Sequence, residues 1–157
     1  MIVRPFRRSD FDQLWILAER MWKESPNYRG LELDKEKLTQ LGEAILRRRD
    51  ICGFVAENGE GIEGFFAGMV TPYWFGNQQI ASDLALFVDQ TKRGGRTALK
   101  LIKAYESWAT SHGVQEICLG VTTGVEADRT VQLYDRLGYP ESGIICKKKV
   151  KPEERRV

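Results

Sequence analysis

The apolar positions Phe11, Leu14, Trp15, Leu17, Ala18, Met21 and Trp22 recur at spacings of three and four. That spacing predicts a helix, with Ser9 or Asp10 as its cap and Pro26 as its stop. A second helix is predicted from about Asp34 to Leu46, with Leu38, Leu41, Ile45 and Leu46 on one side. Ahead of both, MIVRPF reads as a short strand. The segment ICGFVAENGEGIEGFFAGMV reads as two strands joined around Asn58–Gly59, an antiparallel hairpin. PYWFGNQ is an aromatic loop, and IASDLALFV is a strand ending at Val88. Ala98, Leu101, Ile102, Tyr105, Trp108 and Ala109 then form the buried stripe of a long helix that ends at His112–Gly113. EICLGV predicts another strand, Ala127 to Leu137 a helix stopped by Gly138, and GIICKKKV a last strand before the charged tail KPEERRV.

The predicted order is β-α-α-β-β-β-α-β-α-β. The hairpins require antiparallel pairing in the first half, and the strand–helix–strand unit from Ile80 to Val121 requires a right-handed crossover between parallel strands. The fold class expected is therefore mixed α/β, with a central mixed, mostly antiparallel twisted sheet and helices on both faces. The 157 residues suit one domain, 1–157. Hydrophobic residues at 42% and charged residues at 29% are those of an ordinary globular protein. The net charge of +2 is too small to argue for a nucleic-acid partner. Cys52, Cys118 and Cys146 are far apart and read as small buried hydrophobes; with one histidine, His112, they argue against a metal site. No stretch approaches the roughly 20 apolar residues of a membrane span, and MIVRPFRRSD has no apolar signal region, so a cytoplasmic protein is expected.

Chemistry concentrates in KRGGRTALKLIKAYESWA, Lys92 to Ala109. Lys92, Arg93 and Arg96 crowd the start of a helix, where the helix dipole is already positive. The arrangement suits an anion, cradled by the free N–H groups of the first turn. The alternative is a solvated basic loop with two turn glycines. The spacing is neither GxxxxGK[ST] nor GxGxxG.

LALFVDQTKRGGRTALKLI resembles the signature of the GNAT acetyltransferases, a strand running into a [Q/R]xxGx[G/A] loop and a helix. Lys92 takes the Gln/Arg position, Gly95 the first glycine and Thr97 the Gly/Ala position. RTVQLYDRLGYPESG resembles the family's closing pattern, with Leu133, Tyr134, Gly138 and Tyr139 in register. The order of elements is similar from Met1 to Val150, and the KRGGR form is similar to GNAT-like proteins encoded by bacteriophages. The resemblance implies an acyl-CoA acyltransferase fold that uses acetyl-CoA, releases CoA and acetylates a primary amine of a small molecule or protein. It assigns pyrophosphate binding to Arg93, Gly94, Gly95, Arg96 and Thr97. It assigns pairing with the pantetheine arm to the backbone of Leu86, Phe87 and Val88, and the role of general acid to Tyr134. The chain departs from the pattern at Gly120, where many relatives carry Glu. It departs again at TTGVEADR, which is about two residues longer and lacks the usual Asn.

For the base, Asp83 is the leading candidate, because a carboxylate inside a half-buried strand is costly without a partner or a task. The alternative is a strand residue facing water. Glu57 and Glu126 are weaker choices. The acceptor groove is expected from Trp22 to Tyr28, from the helix near Leu38, and from TPYWFGN, with Tyr73, Trp74 and Phe75 as a clamp. Two rival readings remain: a non-catalytic CoA-binding or interaction protein that keeps the fold, and a nucleic-acid module using the arginine clusters. A homodimer is compatible with the sequence, but no feature fixes it.

Overall fold

The computed structural model describes residues 1–155; Arg156 and Val157, the end of the charged tail, lie outside the described residues. Among these residues five strands form one sheet in chain order: β1 (Ile2–Pro5), β2 (Ile51–Asn58), β3 (Gly61–Pro72), β4 (Gln79–Val88) and β5 (Glu116–Cys118). The first three pairings are antiparallel and β4–β5 is parallel. β2 and β3 turn through Gly59–Glu60, where the Asn58 side chain accepts the Glu60 N–H at 2.8 Å.

Among the described residues four α-helices flank the sheet: α1 (Phe11–Glu24), α2 (Lys35–Arg47), α3 (Thr97–Ser111) and α4 (Ala127–Arg136). α3 is the crossover between β4 and β5. Its Leu101, Tyr105 and Ala109 are fully buried against Phe66, Val70 and Ala81 on one sheet face. Tyr105 stacks on Phe66 with ring centroids 4.4 Å apart. On the other face, Leu17 of α1 packs with Phe65 and Phe87. This alternation of Phe65 and Phe66 to opposite faces is the two-residue period of a strand covered on both sides.

Several boundaries differ from the sequence expectation. α1 is preceded by a 3-10 turn, Arg8–Asp10, and Asp10 does not cap it. Its carboxylate instead accepts the Arg7 N–H at 2.7 Å and the Arg4 guanidinium at 2.8 and 2.9 Å. Asp34 does cap α2, accepting the Lys37 N–H at 3.1 Å. β5 is three residues long rather than the six of EICLGV. The expected last strand, GIICKKKV, is absent: residues 143–150 belong to no helix or strand, and Ile144 and Ile145 are 82% and 75% exposed. Ile and Val favour strands, but IIC followed by KKK has no alternation, so neither side of the segment offers a continuous apolar face. Cys52 is buried, Cys118 is half-buried and Cys146 is exposed, so only the first fits the expected burial in full.

Candidate active site

The sheet opens between β4 and β5. Their parallel pairing covers Ile80↔Glu116, Ala81↔Ile117 and Ser82↔Cys118 and then stops, although β4 continues to Val88. A bulge marks the break: Ala85 pairs with Ala67 and Asp83 with Gly68, leaving Leu84 as the extra residue. Beyond it, among the described residues, one edge of β4 has no strand beside it. A cleft of about 570 Å³ fills the gap, walled by Leu84–Val88, by 120–126 and by α4.

The cleft ends at the glycine loop. Lys92, Arg93, Gly94, Gly95 and Thr97 line it; Arg96 does not. The loop is not the first turn of the helix, as expected, but precedes it: α3 begins at Thr97. Its first internal bond joins the Lys100 N–H to the Arg96 carbonyl at 3.0 Å, so the N–H groups of Thr97, Ala98 and Leu99 have no partner within the helix. Gly94 has φ +90, a conformation that few other residues adopt. A Cβ placed on Gly95 would meet nothing within 4 Å. Thr97 is held from below: its hydroxyl donates to the buried Glu63 at 2.6 Å, and Glu63 also accepts from Asn58 at 2.7 Å. A hydroxyl that anchors the helix start gives Thr a use at the Gly/Ala position. Arg93 is not free. Its Nε donates to the Val88 carbonyl at 3.0 Å, and its two terminal nitrogens donate to the two carboxylate oxygens of Glu24. Lys92 pairs with Glu60 at 2.7 Å.

Leu86, Phe87, Val88 and Tyr134 line the cleft. Tyr134 is buried, and burial raises its pKa, with the nearby Asp83 charge adding to the effect. Among the described residues its hydroxyl has no hydrogen-bond partner. The turn after α4 holds it in place: Gly138 at φ +91 sends the chain back so that the Tyr139 N–H reaches the Tyr134 carbonyl at 2.9 Å. The Tyr139 hydroxyl ties this turn to Glu106 of α3 at 2.7 Å. Asp83 is half-buried at the break and does not line the cleft. Its carboxylate accepts the Gly120 N–H at 2.8 Å, and burial lifts its pKa from the ordinary 3.8 to about 6. A carboxylate thus stands beside Gly120, where the family pattern has Glu.

The acceptor side differs in part from expectation. Met21, Glu24 and Tyr28 line the cleft, but Leu38 and the TPYWFGN loop do not. That loop is the tip of the β3–β4 hairpin. Tyr73 and Phe75 lie 5.1 Å apart there, and Trp74 is 94% exposed, so they neither clamp the cleft nor cover the core. Glu57 is paired with Arg4 at 2.6 Å and lies outside the cleft; Glu126 lines it. Glu24, Ser25 and Asn27 fall inside the expected groove segment Trp22–Tyr28, where Ser25 and Asn27 donate to the carbonyls of Thr123 and Thr122 at 2.6 and 2.8 Å. Glu63 is the residue missed from sequence, and its local signal is a lone acid in the apolar run GIEGFFAGMV.

Residues 13–139 match the profile of the acetyltransferase (GNAT) family. Among solved structures, the aminoglycoside N-acetyltransferase AAC(6')-Iy, bound to the bisubstrate analogue CoA-S-monomethyl-acetylneamine, superposes with a TM-score of 0.76 at 19% identity, over 96% of this chain and 97% of that one. A protein described as a transcriptional regulator from Bacillus halodurans reaches 0.76 at 20% identity, over 95% and 99%. A ribosomal-protein-alanine N-acetyltransferase from Brucella melitensis reaches 0.68 at 14% identity, over 96% and 99%. No curated protein sequence matches the chain at a significant level.

Proposed function

The chain belongs to the acetyltransferase (GNAT) family, and on that premise we propose that it is an acetyl-CoA-dependent N-acetyltransferase that moves the acetyl group to a primary amine of a small molecule or protein. The observation that carries the proposal is the open edge of β4, which loses its partner after Ser82 and leads through the 3-10 turn Gln90–Lys92 to the Gly94–Gly95 loop and the head of α3. Acetyl-CoA supplies an activated thioester on an amide-bearing arm and several negative charges. The residues fit it: an unpaired strand edge suits the arm, and the empty space over Gly95 suits a phosphate.

In this reading the backbone of Leu86, Phe87 and Val88 holds the pantetheine arm as an added strand would be held. The backbone N–H groups of Gly94, Gly95, Arg96 and Thr97 face the pyrophosphate, and Arg93 and Arg96 add charge. Tyr134 keeps its proton at neutral pH and gives it to the departing thiolate. Asp83, ionised above about pH 6, accepts the proton that the acceptor ammonium loses. Asp83 does not line the cleft, so that proton reaches it through a water relay. The acceptor enters between the end of α1, Tyr28 and the turn at 122–126, beside Glu24, which pairs with Arg93, and Glu126, which pairs with Arg129 at 3.2 Å.

The test is thiol release from acetyl-CoA against a panel of polyamines, aminoglycosides, amino acids and lysine peptides. An amine that raises release above the rate without acceptor supports the proposal. Tight acetyl-CoA binding with no turnover across the panel overturns it in favour of a non-catalytic CoA-binding protein.

A further inference from the structure

Glu24 and Arg93 are 69 positions apart and meet on the wall of the cleft, fork to fork. Nη2 of Arg93 donates to Oε2 of Glu24 at 2.7 Å, Nη1 donates to Oε1, and the guanidinium lies over the Phe87 ring at 5.4 Å. Both side chains are about four-fifths covered, with 22% and 21% exposed. The same planar fork is the geometry in which a guanidinium grips a phosphate. Glu24 is also the last residue of α1, an end that disfavours a carboxylate. Its neighbours cannot replace Arg93: Lys23 pairs with Glu19 at 3.2 Å, and Arg20 pairs with Asp89. Among the described residues Arg93 is the one cation paired with Glu24.

We propose that Glu24 is an internal stand-in for a cofactor phosphate. It holds Arg93 in the free protein, yields it to the pyrophosphate of acetyl-CoA, and so releases the end of α1 at the acceptor side. The proposal rests on the acetyl-CoA site described above. Its consequence reaches the acceptor wall, because Ser25 and Asn27, which hold the carbonyls of Thr123 and Thr122, follow Glu24 directly. Cofactor binding and acceptor access then share one ion pair, and Glu24 sets the affinity for the cofactor although it does not touch it.

Glu24→Gln keeps the size of the side chain and removes its charge. A half-buried pair of this kind is worth about fivefold in an equilibrium constant, so acetyl-CoA should bind the variant about fivefold more tightly by calorimetry. In an Arg93→Ala background the same substitution should change nothing. Hydrogen exchange on the unmodified protein needs no variant: amides 21–25 should exchange faster in the CoA complex than in the free protein. The proposal is overturned if Glu24→Gln binds acetyl-CoA no more tightly than the parent, if the gain persists without Arg93, or if exchange at 21–25 slows when CoA binds. A parent that binds no acetyl-CoA removes the cofactor site and this proposal together. A parent that binds it, beside a variant that gains nothing, removes the Glu24 exchange alone.

Discussion

Replacing Asp83 by Asn removes one charge and keeps the shape. The Asn Oδ1 can still accept the Gly120 N–H that Asp83 accepts at 2.8 Å. No cation pairs with this carboxylate among the described residues, and burial lifts its pKa from 3.8 to about 6. That rise corresponds to about 3 kcal/mol against the ionised form in the folded protein. The folded chain binds this proton more tightly than the unfolded chain does. Stability therefore falls as pH rises from about 4 to about 6 and is level above that. Asn never ionises and escapes the penalty. At pH 8 Asp83→Asn should be more stable than the parent by about 1–3 kcal/mol, worth ~2–4 °C in Tm for each kcal/mol. The difference should close near pH 4, where both side chains are neutral. Urea titrations at several pH values measure it. In the amine assay the same variant should lose about 100- to 10,000-fold in turnover, and the fall in rate below about pH 6 should disappear. A variant no more stable than the parent at pH 8 would refute the argument from burial. A variant that keeps both its rate and its acid limb would take Asp83 out of proton transfer.

Tyr134→Phe keeps the ring and removes the proton donor, so turnover should drop by about 100- to 10,000-fold while the acetyl-CoA Kd from calorimetry hardly changes. Unchanged turnover with a good acceptor would exclude Tyr134 as the acid. Arg4→Ala should destabilise the fold by about 3–5 kcal/mol in urea, because it strands Asp10, whose side chain is 6% exposed, without its counter-charge. The Arg4 hydrogen bond is the main reason that the Asp10 pKa lies below 3.8. The stability it confers is present above that value and is lost as pH falls through the lower folded one, so Arg4→Ala should also flatten the acid limb of the stability curve.

Helices α1, α2 and α3 were legible because each buries one stripe, and a stripe shows as a three-four spacing. β2, β3 and β4 were legible because apolar runs bounded by Asn58–Gly59 and by the aromatic turn leave few alternatives. GIICKKKV misled because strand propensity is local while strand formation needs a neighbour. The bulge at Leu84 and the parting of β4 from β5 after Ser82 could not be read, since register depends on which edges meet. The same limit governed the site. Gly94, Gly95 and Tyr134 stand in short motifs and could be named. The partner of Arg93 is an acid 69 positions away, and no spacing rule reaches that far. Asp83 was visible as an oddity in a strand, but its contact with Gly120 was not.

Calorimetric titration of acetyl-CoA into the parent and into Gly95→Glu tests whether the loop at the head of α3 is an acetyl-CoA pyrophosphate site. The position has no neighbour within 4 Å for a Cβ, so the variant should fold as the parent does while placing bulk and negative charge where the phosphate sits. One molecule of acetyl-CoA should bind per chain in the parent and none in the folded variant. Equal binding by both proteins would put the cofactor elsewhere and rule out a pyrophosphate site at this loop.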